Sequence, residues 1–308
     1  MIEVWRGNAN AWECDELGHM NVKFYLTKAS EAIAGLAAQT GLKDIHRADA
    51  NATLLATGLH IRFLAEARPG APLMIEGGWT AISDQTCTAL LVMRHGGTGR
   101  VAATFLIDLV HVSPRDGRPF VWPSHFAEGI EPSLVEIPDF AQPRGIQLDA
   151  PANKQVSTAR ADALGLEAIG QGRFTPDETD VFGRMRMEVL LGRISDSVIN
   201  LKAAFPEEWA FHKDGTEARI GSPLLECHIL PQRWPRAGDG FVIRSGLKSY
   251  GPKVRNLVHW VLDPATGRPW WTMEGVAAPM DLDARKIMPL SDTVRAELDQ
   301  SCITGLER

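Results

Sequence analysis

The feature that most constrains this sequence is an internal repeat. Residues 13–21 (ECDELGHMN) match residues 178–186 (ETDVFGRMR), 165 positions later when Asp15 is aligned with Asp180. Further along, at an offset of 168, residues 98–100 (TGR) return as 266–268. Self-similarity at a nearly fixed offset indicates one structural unit used twice. The sequence therefore predicts two halves with one fold, and a difference between them at a chemically important position is informative.

The repeat also predicts how the chain divides into domains. A chain of 308 residues is long enough for two domains that each bury a core. We predict an N-terminal domain at 1–130 and a C-terminal domain at 165–308. Residues 131–164 contain four spaced prolines, which is typical of an extended connector rather than a third domain.

Composition and charge restrict the class of protein. A hydrophobic content of 44% with 23% charged residues is ordinary for a soluble globular chain. The net charge of −6, without a Lys/Arg cluster, argues against a nucleic-acid partner. Apolar runs such as 89–93 are too short to span a bilayer, and the N-terminus does not resemble a signal peptide. We expect a cytoplasmic protein without a membrane partner.

The cysteines give little support for covalent or metal cross-links. The four cysteines are scattered and include no CxxC pair. A disulfide framework or structural zinc site is therefore not expected, and the dispersed histidines indicate no other metal site. We predict a reduced protein that requires no metal and no cofactor.

Hydrophobic periodicity predicts the same order of elements in each half. Apolar residues at helical spacing predict a helix over 22–37 that stops at Gly41, and a second over 187–201 that ends near Pro206. Runs separated by turn residues then predict strands at 58–66, 73–81, 86–95 and 101–112, and at 224–232, 241–250, 254–262 and 269–277. The expected fold is α+β, with an antiparallel sheet wrapped on a long central helix in each half.

The acidic motif before the first helix combines groups that suit acyl transfer. A helix N-terminus presents unpaired backbone N–H groups and partial positive charge, which stabilise an oxyanion. Gly18 permits a tight turn that brings the N–H groups of Gly18 and His19 close to a ligand. The Asp15 carboxylate can act there as a general base or as a nucleophile, with His19 and Asn21 orienting the reactants.

Simpler interpretations stay open for several of these residues. Asn21 lies nearest the helix start, so capping and a catalytic role are compatible for it. His19 can be a packed histidine, although we favour a functional role. Tyr25 fits the apolar face of the helix better than a site. For Asp15 we favour catalysis, because Asn21 already supplies a cap.

The pattern Asp15-x-x-Gly18-His19-x-Asn21-x-x-x-Tyr25 resembles the signature of hot-dog acyl-CoA thioesterases in the 4-hydroxybenzoyl-CoA thioesterase-like group. The resemblance continues through Phe63, Glu66, Arg68 and Gly70 and ends in the hairpin at 111–119. It covers nearly the whole chain as two tandem hot-dog domains, a layout that plant acyl-ACP thioesterases share. The resemblance implies that the domains pair as a pseudo-dimer and bind acyl-CoA in clefts between them.

The second motif departs from this signature. It keeps Asp180 and Gly183 but has Arg184 where His19 stands and Arg186 where Asn21 stands. Arg184 can pair with Asp180 or lie in solvent; alternatively, one of the two arginines binds a carboxylate or phosphate of the substrate. We favour a second site that has lost catalytic function.

The predicted function is hydrolysis of an acyl-CoA thioester. One alternative is a hot-dog hydratase or dehydratase, but the usual Asp followed by Asn-Pro and His is absent from both halves. The other is a non-catalytic acyl-CoA-binding protein. The acyl group, the choice between CoA and acyl carrier protein, and assembly of the chain into a homo-oligomer are left open by the sequence.

Overall fold

The computed structural model describes residues 1–15, 17–208 and 219–308. They form two compact units, one of residues 1–143 with 176–191, the other of residues 144–175 with 192–308. Both acidic motifs therefore lie in the first unit. The domain limits drawn from the repeat stay a proposal.

The described secondary structure comprises five α-helices and thirteen strands. The helices are α1 (Val22–Gln39), α2 (Ser124–Ile130), α3 (Thr158–Ala163), α4 (Val189–Ser195) and α5 (Asp292–Ser301). The strands of the first half are β1 (Ile2–Asn8), β2 (Thr53–Phe63), β3 (Pro72–Ile82), β4 (Thr86–His95) and β5 (Val101–Val112). Those of the second half are β6 (Glu167–Arg173), β7 (Ile220–Gly221), β8 (Leu224–Pro231), β9 (Gly240–Tyr250), β10 (Arg255–Leu262), β11 (Pro269–Ala277), β12 (Met280–Asp281) and β13 (Lys286–Ile287).

The two halves have the same antiparallel strand order. In the first half the neighbours run β1-β3-β4-β5-β2, and in the second they run β6-β9-β10-β11-β8. Each strand of one half therefore has a counterpart at the same place in the other. The prediction of two hot-dog folds, each built around an antiparallel sheet, is confirmed at the level of strand order.

In the first half, α1 packs on the sheet through one apolar face. Leu26, Ala29, Ile33 and Leu36 on that face are almost fully buried. Gly35 permits close approach to β1, because a Cβ at this position would collide with the carbonyl oxygen of Val4. The helix ends at Gln39, just before Gly41, as the sequence predicts.

The predicted long helix of the second half is wrong. After the seven residues of α4 the chain continues as two 3-10 turns, Val198–Asn200 and Lys202–Ala204. Gly192 weakens α4 from within, and the run 195–197 (SDS) marks its end, since glycine and short polar side chains favour non-helical backbone. The side chain of Asn200 also donates to the carbonyl oxygen of Ile169 in β6 (3.0 Å), which fixes the first 3-10 turn.

Part of the predicted connector covers the first sheet. Ala141 packs in a cluster with Leu90, Val92 and Leu106 of β4 and β5. Arg62 of β2 anchors the same stretch by donating from Nη1 to the carbonyl oxygens of residues 140 and 142 (2.8 and 3.0 Å). This stretch therefore shields the outer face of the first sheet from water.

Candidate active site

The first motif folds into a tight loop before α1. An antiparallel bridge between Cys14 and Met20 closes the loop. Inside it, the N–H of Asp15 donates to the carbonyl oxygen of His19 (3.1 Å), and the N–H of Gly18 donates to that of Asp15 (3.0 Å). Gly18 has a φ of 77°, a left-handed conformation that glycine adopts at little cost. The loop geometry therefore depends on glycine at this position.

The three predicted catalytic side chains come together at this loop. The Asp15 carboxylate accepts hydrogen bonds from the Leu17 N–H (Oδ1, 3.1 Å) and from the Asn21 side-chain amide (Oδ2, 3.3 Å). His19 Nδ1 lies 3.7 Å from Asp15 Oδ1. The side chains of Asp15 and His19 are 17% and 11% exposed, so the carboxylate is partly shielded yet reachable from solvent.

The backbone donors of the loop differ in availability. The N–H groups of Gly18, Met20 and Asn21 all donate to carbonyl oxygens, at 3.0, 2.7 and 2.9 Å. The N–H of His19 makes no hydrogen bond within the described residues. Of the two predicted oxyanion donors, Gly18 is thus engaged within the loop, and the His19 amide has no partner among the described residues.

Asn21 and Tyr25 also have structural roles. Asn21 caps α1, because its Oδ1 accepts from the N–H of Lys23 (3.0 Å). Tyr25 is buried, as expected for the apolar face, and its hydroxyl accepts from the N–H of Ala67 (3.0 Å). Burial raises the pKa of the Tyr25 hydroxyl, so that group stays protonated at neutral pH.

A second carboxylate lies on the other side of the His19 ring. Glu66, which follows β2, places Oε1 3.9 Å from His19 Nε2. The imidazole therefore has a carboxylate near each of its nitrogens, Asp15 at one and Glu66 at the other. The sequence placed Glu66 in the family pattern but indicated no role for it, because the two residues are distant in the chain.

A buried ion pair next to the loop was also not predicted from the sequence. Glu13 and Lys28 are 8% and 4% exposed, and Lys28 Nζ lies 2.8 Å from both carboxylate oxygens of Glu13. The repeat held a signal for it, because Glu178 and Arg193 occupy the matching positions of the second half.

Cys14, next to Asp15, lacks the features of a nucleophile. Burial raises the pKa of its thiol, and the neighbouring carboxylates of Asp15 and Glu13 raise it further. Its Sγ donates to the carbonyl oxygen of Asn10 (3.4 Å). A thiol held protonated in this way is a poor attacking group.

The second motif has the same backbone geometry as the first. A bridge joins Thr179 and Met185, and the N–H of Gly183 donates to the carbonyl oxygen of Asp180 (3.0 Å). Gly183 has a φ of 74°, close to that of Gly18. The loop is therefore determined by residues that the two copies share.

In the second loop, the aspartate carboxylate is bound by residues of the loop itself. Asp180 Oδ1 accepts from the N–H groups of Phe182 (2.8 Å) and Arg184 (3.0 Å), and Oδ2 accepts from Arg184 Nε (3.2 Å) and Nη2 (3.0 Å). The amide at the position of His19 is thus occupied here. Of the three predicted interpretations for Arg184, the structure supports its pairing with Asp180.

Arg186 is bound to its own segment. Its Nη2 donates to the carbonyl oxygen of Asp177 (2.6 Å), and its Nη1 lies 3.3 Å from Glu188 Oε1. The side chain is 42% exposed. Arg186 therefore stands where Asn21 caps α1, but a guanidinium has no acceptor with which to cap a helix.

A cleft of about 870 Å³ lies at the opposite end of α1 from Asp15. At about 1.5 Å per residue, the 18 residues of α1 separate it from the motif by about 26 Å along the helix. It is lined by the loop at 41–52 and by His111, Phe120, Trp122 and His125. None of the predicted site residues lines this cleft.

Within residues 1–15, 17–208 and 219–308, no group of three or more His, Cys, Asp or Glu side chains has the arrangement of a metal site. Over the same part of the chain, no helix is both long and apolar enough to cross a membrane.

Comparison with known proteins identifies the family. A family model described as the thioesterase-like superfamily matches residues 9–130 and again residues 174–298. A search of curated protein sequences found no match.

Three solved structures share the architecture. The chain is similar to a protein described as an oleoyl thioesterase from Lactobacillus plantarum (TM-score 0.65, 12% identity, covering 89% of this chain and 94% of that one). It is also similar to the 12:0-ACP thioesterase from Umbellularia californica (0.64, 12%, 89% and 93%). The third is an acyl-ACP thioesterase from Bacteroides thetaiotaomicron (0.63, 9%, 89% and 96%). At such low identity these likenesses establish the fold, which is two tandem hot-dog domains.

The match to the family model carries more weight than the structural likenesses. It covers most of the chain and recurs once in each half, in step with the internal repeat. Membership of this family supports hydrolysis of acyl thioesters as the general class of activity. The chain belongs to the thioesterase-like superfamily.

Proposed function

We propose that the protein hydrolyses an acyl-CoA thioester to a free carboxylic acid and CoA, and that the first motif is the active site. One observation carries the proposal: a partly exposed carboxylate, Asp15, and an unoccupied backbone N–H, that of His19, lie on one loop. These are the two groups that hydrolysis of a thioester requires, a base and an oxyanion donor.

The simplest route uses Asp15 as a general base. Its carboxylate takes a proton from a water molecule while the water oxygen bonds to the thioester carbonyl carbon. The carbonyl oxygen becomes negatively charged and accepts a hydrogen bond from the His19 N–H. When the tetrahedral intermediate collapses, the C–S bond breaks, and the thiolate takes up the proton held by Asp15.

Asp15 can also act as the nucleophile. Its oxygen then displaces the thiolate and forms a mixed anhydride, which water hydrolyses in a second step. Single turnover in ¹⁸O-labelled water distinguishes the two routes if water attacks the Asp15 carbonyl of the anhydride. In that case label enters the protein carboxylate, whereas the general-base route places label only in the product acid.

The remaining side chains of the site are assigned positioning roles. Asn21 donates to Asp15 Oδ2 and so fixes the orientation of the carboxylate. His19, with Asp15 near one ring nitrogen and Glu66 near the other, orients the water or the acyl group. The reduced cytoplasmic setting predicted from the cysteines is part of the proposal, since all four thiols are free.

Two of the similar solved structures are named as acyl-ACP thioesterases, so the carrier is part of what must be tested. We assign CoA on the resemblance of the first motif to acyl-CoA thioesterases. Parallel assays with one acyl chain on CoA and on acyl carrier protein decide the point. Higher kcat/KM for the protein-bound substrate would transfer the assignment to acyl carrier protein.

A non-catalytic acyl-CoA-binding protein is the alternative from a different class. The second motif supports this alternative, because one copy of the loop already has its aspartate paired with an arginine, Asp180 with Arg184. This alternative predicts that acyl-CoA binds but that no thiol appears over time.

The decisive experiment compares Asp15→Asn with Asp180→Asn. A thiol-detecting assay is run on a panel of short, long, aromatic and charged acyl-CoAs. We expect Asp15→Asn to lower kcat by about 10³-fold, within the range typical of a lost general base. The matched change in the second motif should leave kcat within a few-fold, once circular dichroism confirms that the variant is folded. Activity lost with Asp180→Asn and kept with Asp15→Asn would show that the working motif is the second one.

A further inference from the structure

The Glu13–Lys28 ion pair connects the candidate catalytic loop to α1. Lys28 lies in the second turn of α1, and its ammonium is shared equally by the two oxygens of Glu13. Glu13 Oε2 also accepts from the N–H of Asn10 (2.8 Å), so the carboxylate is fixed from two directions. Both side chains are almost fully buried.

The backbone of Glu13 forms the other half of this connection. Its carbonyl oxygen accepts from the N–H of Asn21 (2.9 Å), the residue that caps α1 and donates to Asp15. Glu13 therefore contacts the helix at its cap through the main chain and at Lys28 through the side chain. Asp15 lies two residues further along, and the Cys14–Met20 bridge closes the loop between these attachments.

The stability of the fold alone does not explain an ionic pair at this place. Desolvation of two charges offsets most of their attraction, and a well-packed apolar pair of similar volume is often equally or more stable. What ionic pairing adds is a fixed geometry and a balanced local charge. We propose that Glu13 and Lys28 are positioning residues, an inference that rests on the proposed function. The pair fixes the Asp15 loop against α1, and its two opposite charges leave no net charge next to the loop.

The surroundings of Asp15 make the charge balance testable. Among the described residues, its titratable and charged neighbours come from the loop, from α1 and from the segment after β2: Glu13, Cys14, His19, Tyr25, Lys28 and Glu66. The charges of Glu13 and Lys28 both reach the Cys14 thiol, where Glu13 raises the pKa and Lys28 lowers it. The electrostatic effects of the two partners on the loop are therefore opposite in sign.

The test is to remove one charge at a time and follow kcat/KM against pH. Glu13→Gln leaves an ammonium near Asp15, which favours its carboxylate form, so the acidic limb should move to lower pH. Lys28→Met leaves a carboxylate, so the same limb should move to higher pH. Because the remaining charge lies close to the Asp15 loop, we expect the acidic limb to shift by about one pH unit in each direction. The double variant should restore the limb to its original position, with kcat still about 10-fold lower because the loop is less well held.

Glu178→Gln is the matched control, because it makes the same change in the second motif. It should lower the melting temperature without moving the pH profile. The proposal is overturned if neither single variant moves the acidic limb, or if both move it the same way while activity falls only in step with the melting temperature. Turnover that survives Asp15→Asn would instead refute the proposed function, and that outcome is read from a different variant.

Discussion

The two acidic loops have the same backbone geometry but different side-chain contacts. In each, the N–H of the glycine donates to the aspartate carbonyl at 3.0 Å, and the glycine has a φ between 70° and 80°. Yet Asp180 is occupied by the guanidinium and the N–H of Arg184, whereas Asp15 faces an imidazole at 3.7 Å and leaves the N–H of His19 open. The shared residues therefore determine the backbone of the loop, and the residue four positions after the aspartate determines which groups contact the carboxylate.

The largest effect is expected when the first loop is given the arginine of the second. In His19→Arg, the guanidinium should pair with Asp15 as Arg184 does with Asp180. We expect kcat to fall about 10³-fold, as for loss of the base itself, while the free energy of unfolding is unchanged or higher. Thiol release and urea denaturation measure the two quantities.

His19→Gln separates loss of the imidazole from pairing with a cation. It removes the ring without adding a charge, so its kcat should lie between those of the wild type and His19→Arg. If kcat is equally low in the two variants, pairing with an arginine does not inactivate the aspartate. The difference in side-chain pairing between the two loops would then not explain a difference in activity.

A second contrast lies at matching positions of the two sheets. Gly77 and Leu91 are register partners in β3 and β4, and Ser245 and His259 are partners in β9 and β10. Ser245 Oγ lies 2.7 Å from His259 Nδ1, and both residues are buried. Burial lowers the pKa of His259 to about 4. One sheet therefore holds a titratable group where the other holds a leucine.

This contrast predicts acid sensitivity in the second unit. An unfolded histidine has a pKa of about 6.5, so as pH falls the unfolded state takes up the proton first. The contribution of neutral His259 to the free energy of unfolding is complete above pH 6.5 and is lost as the pH falls towards 4, by about 3 kcal/mol. Urea denaturation across this range measures it.

Ser245→Gly with His259→Leu introduces the residues of the first sheet and should remove this part of the pH dependence. Ser245→Ala keeps the imidazole and should retain it. If the double variant follows the wild-type curve between pH 6.5 and 4, another group is responsible for the acid sensitivity.

The smallest expected effect separates the two roles of Asn21. Asn21→Asp keeps a capping oxygen for Lys23 but loses the donor to Asp15, whereas Asn21→Ala loses both. We expect Asn21→Ala to cost about 1 kcal/mol of stability and Asn21→Asp to cost little. Both should lower kcat. Full activity in Asn21→Asp would show that the residue is a cap and nothing more.

Local pattern predicted much of this molecule. The strands at 86–95, 101–112 and 269–277 have the predicted limits, because alternation and turn residues mark strand ends directly. The prediction of the second helix was wrong because apolar spacing suggested 187–201, whereas the short polar side chains at 195–197 end the helix. Periodicity reports which face is buried, and it does not report whether the backbone stays helical.

Within the site, the sequence located the loop but not its contacts. Gly18 and Asp15 were predicted from the motif, and the replacement of His19 by Arg184 and of Asn21 by Arg186 was visible in the sequence. The engagement of the Gly18 N–H within the loop, the approach of Glu66 to His19 and the Glu13–Lys28 pair were not. Each depends on distances between residues that are folded together from different elements.

Residue identity and spacing were enough to predict that one fold is used twice, that a tight acidic turn precedes a helix in the first half, and that the second copy has arginine in place of histidine. Those facts depend on residue identity and spacing, which are local. Only the tertiary structure decided which amide is unoccupied, that Arg184 closes on Asp180, and that a buried ion pair supports the first loop. Hydrogen bonds and ion pairs form only at short range, so which of the possible partners meet is decided when the chain packs.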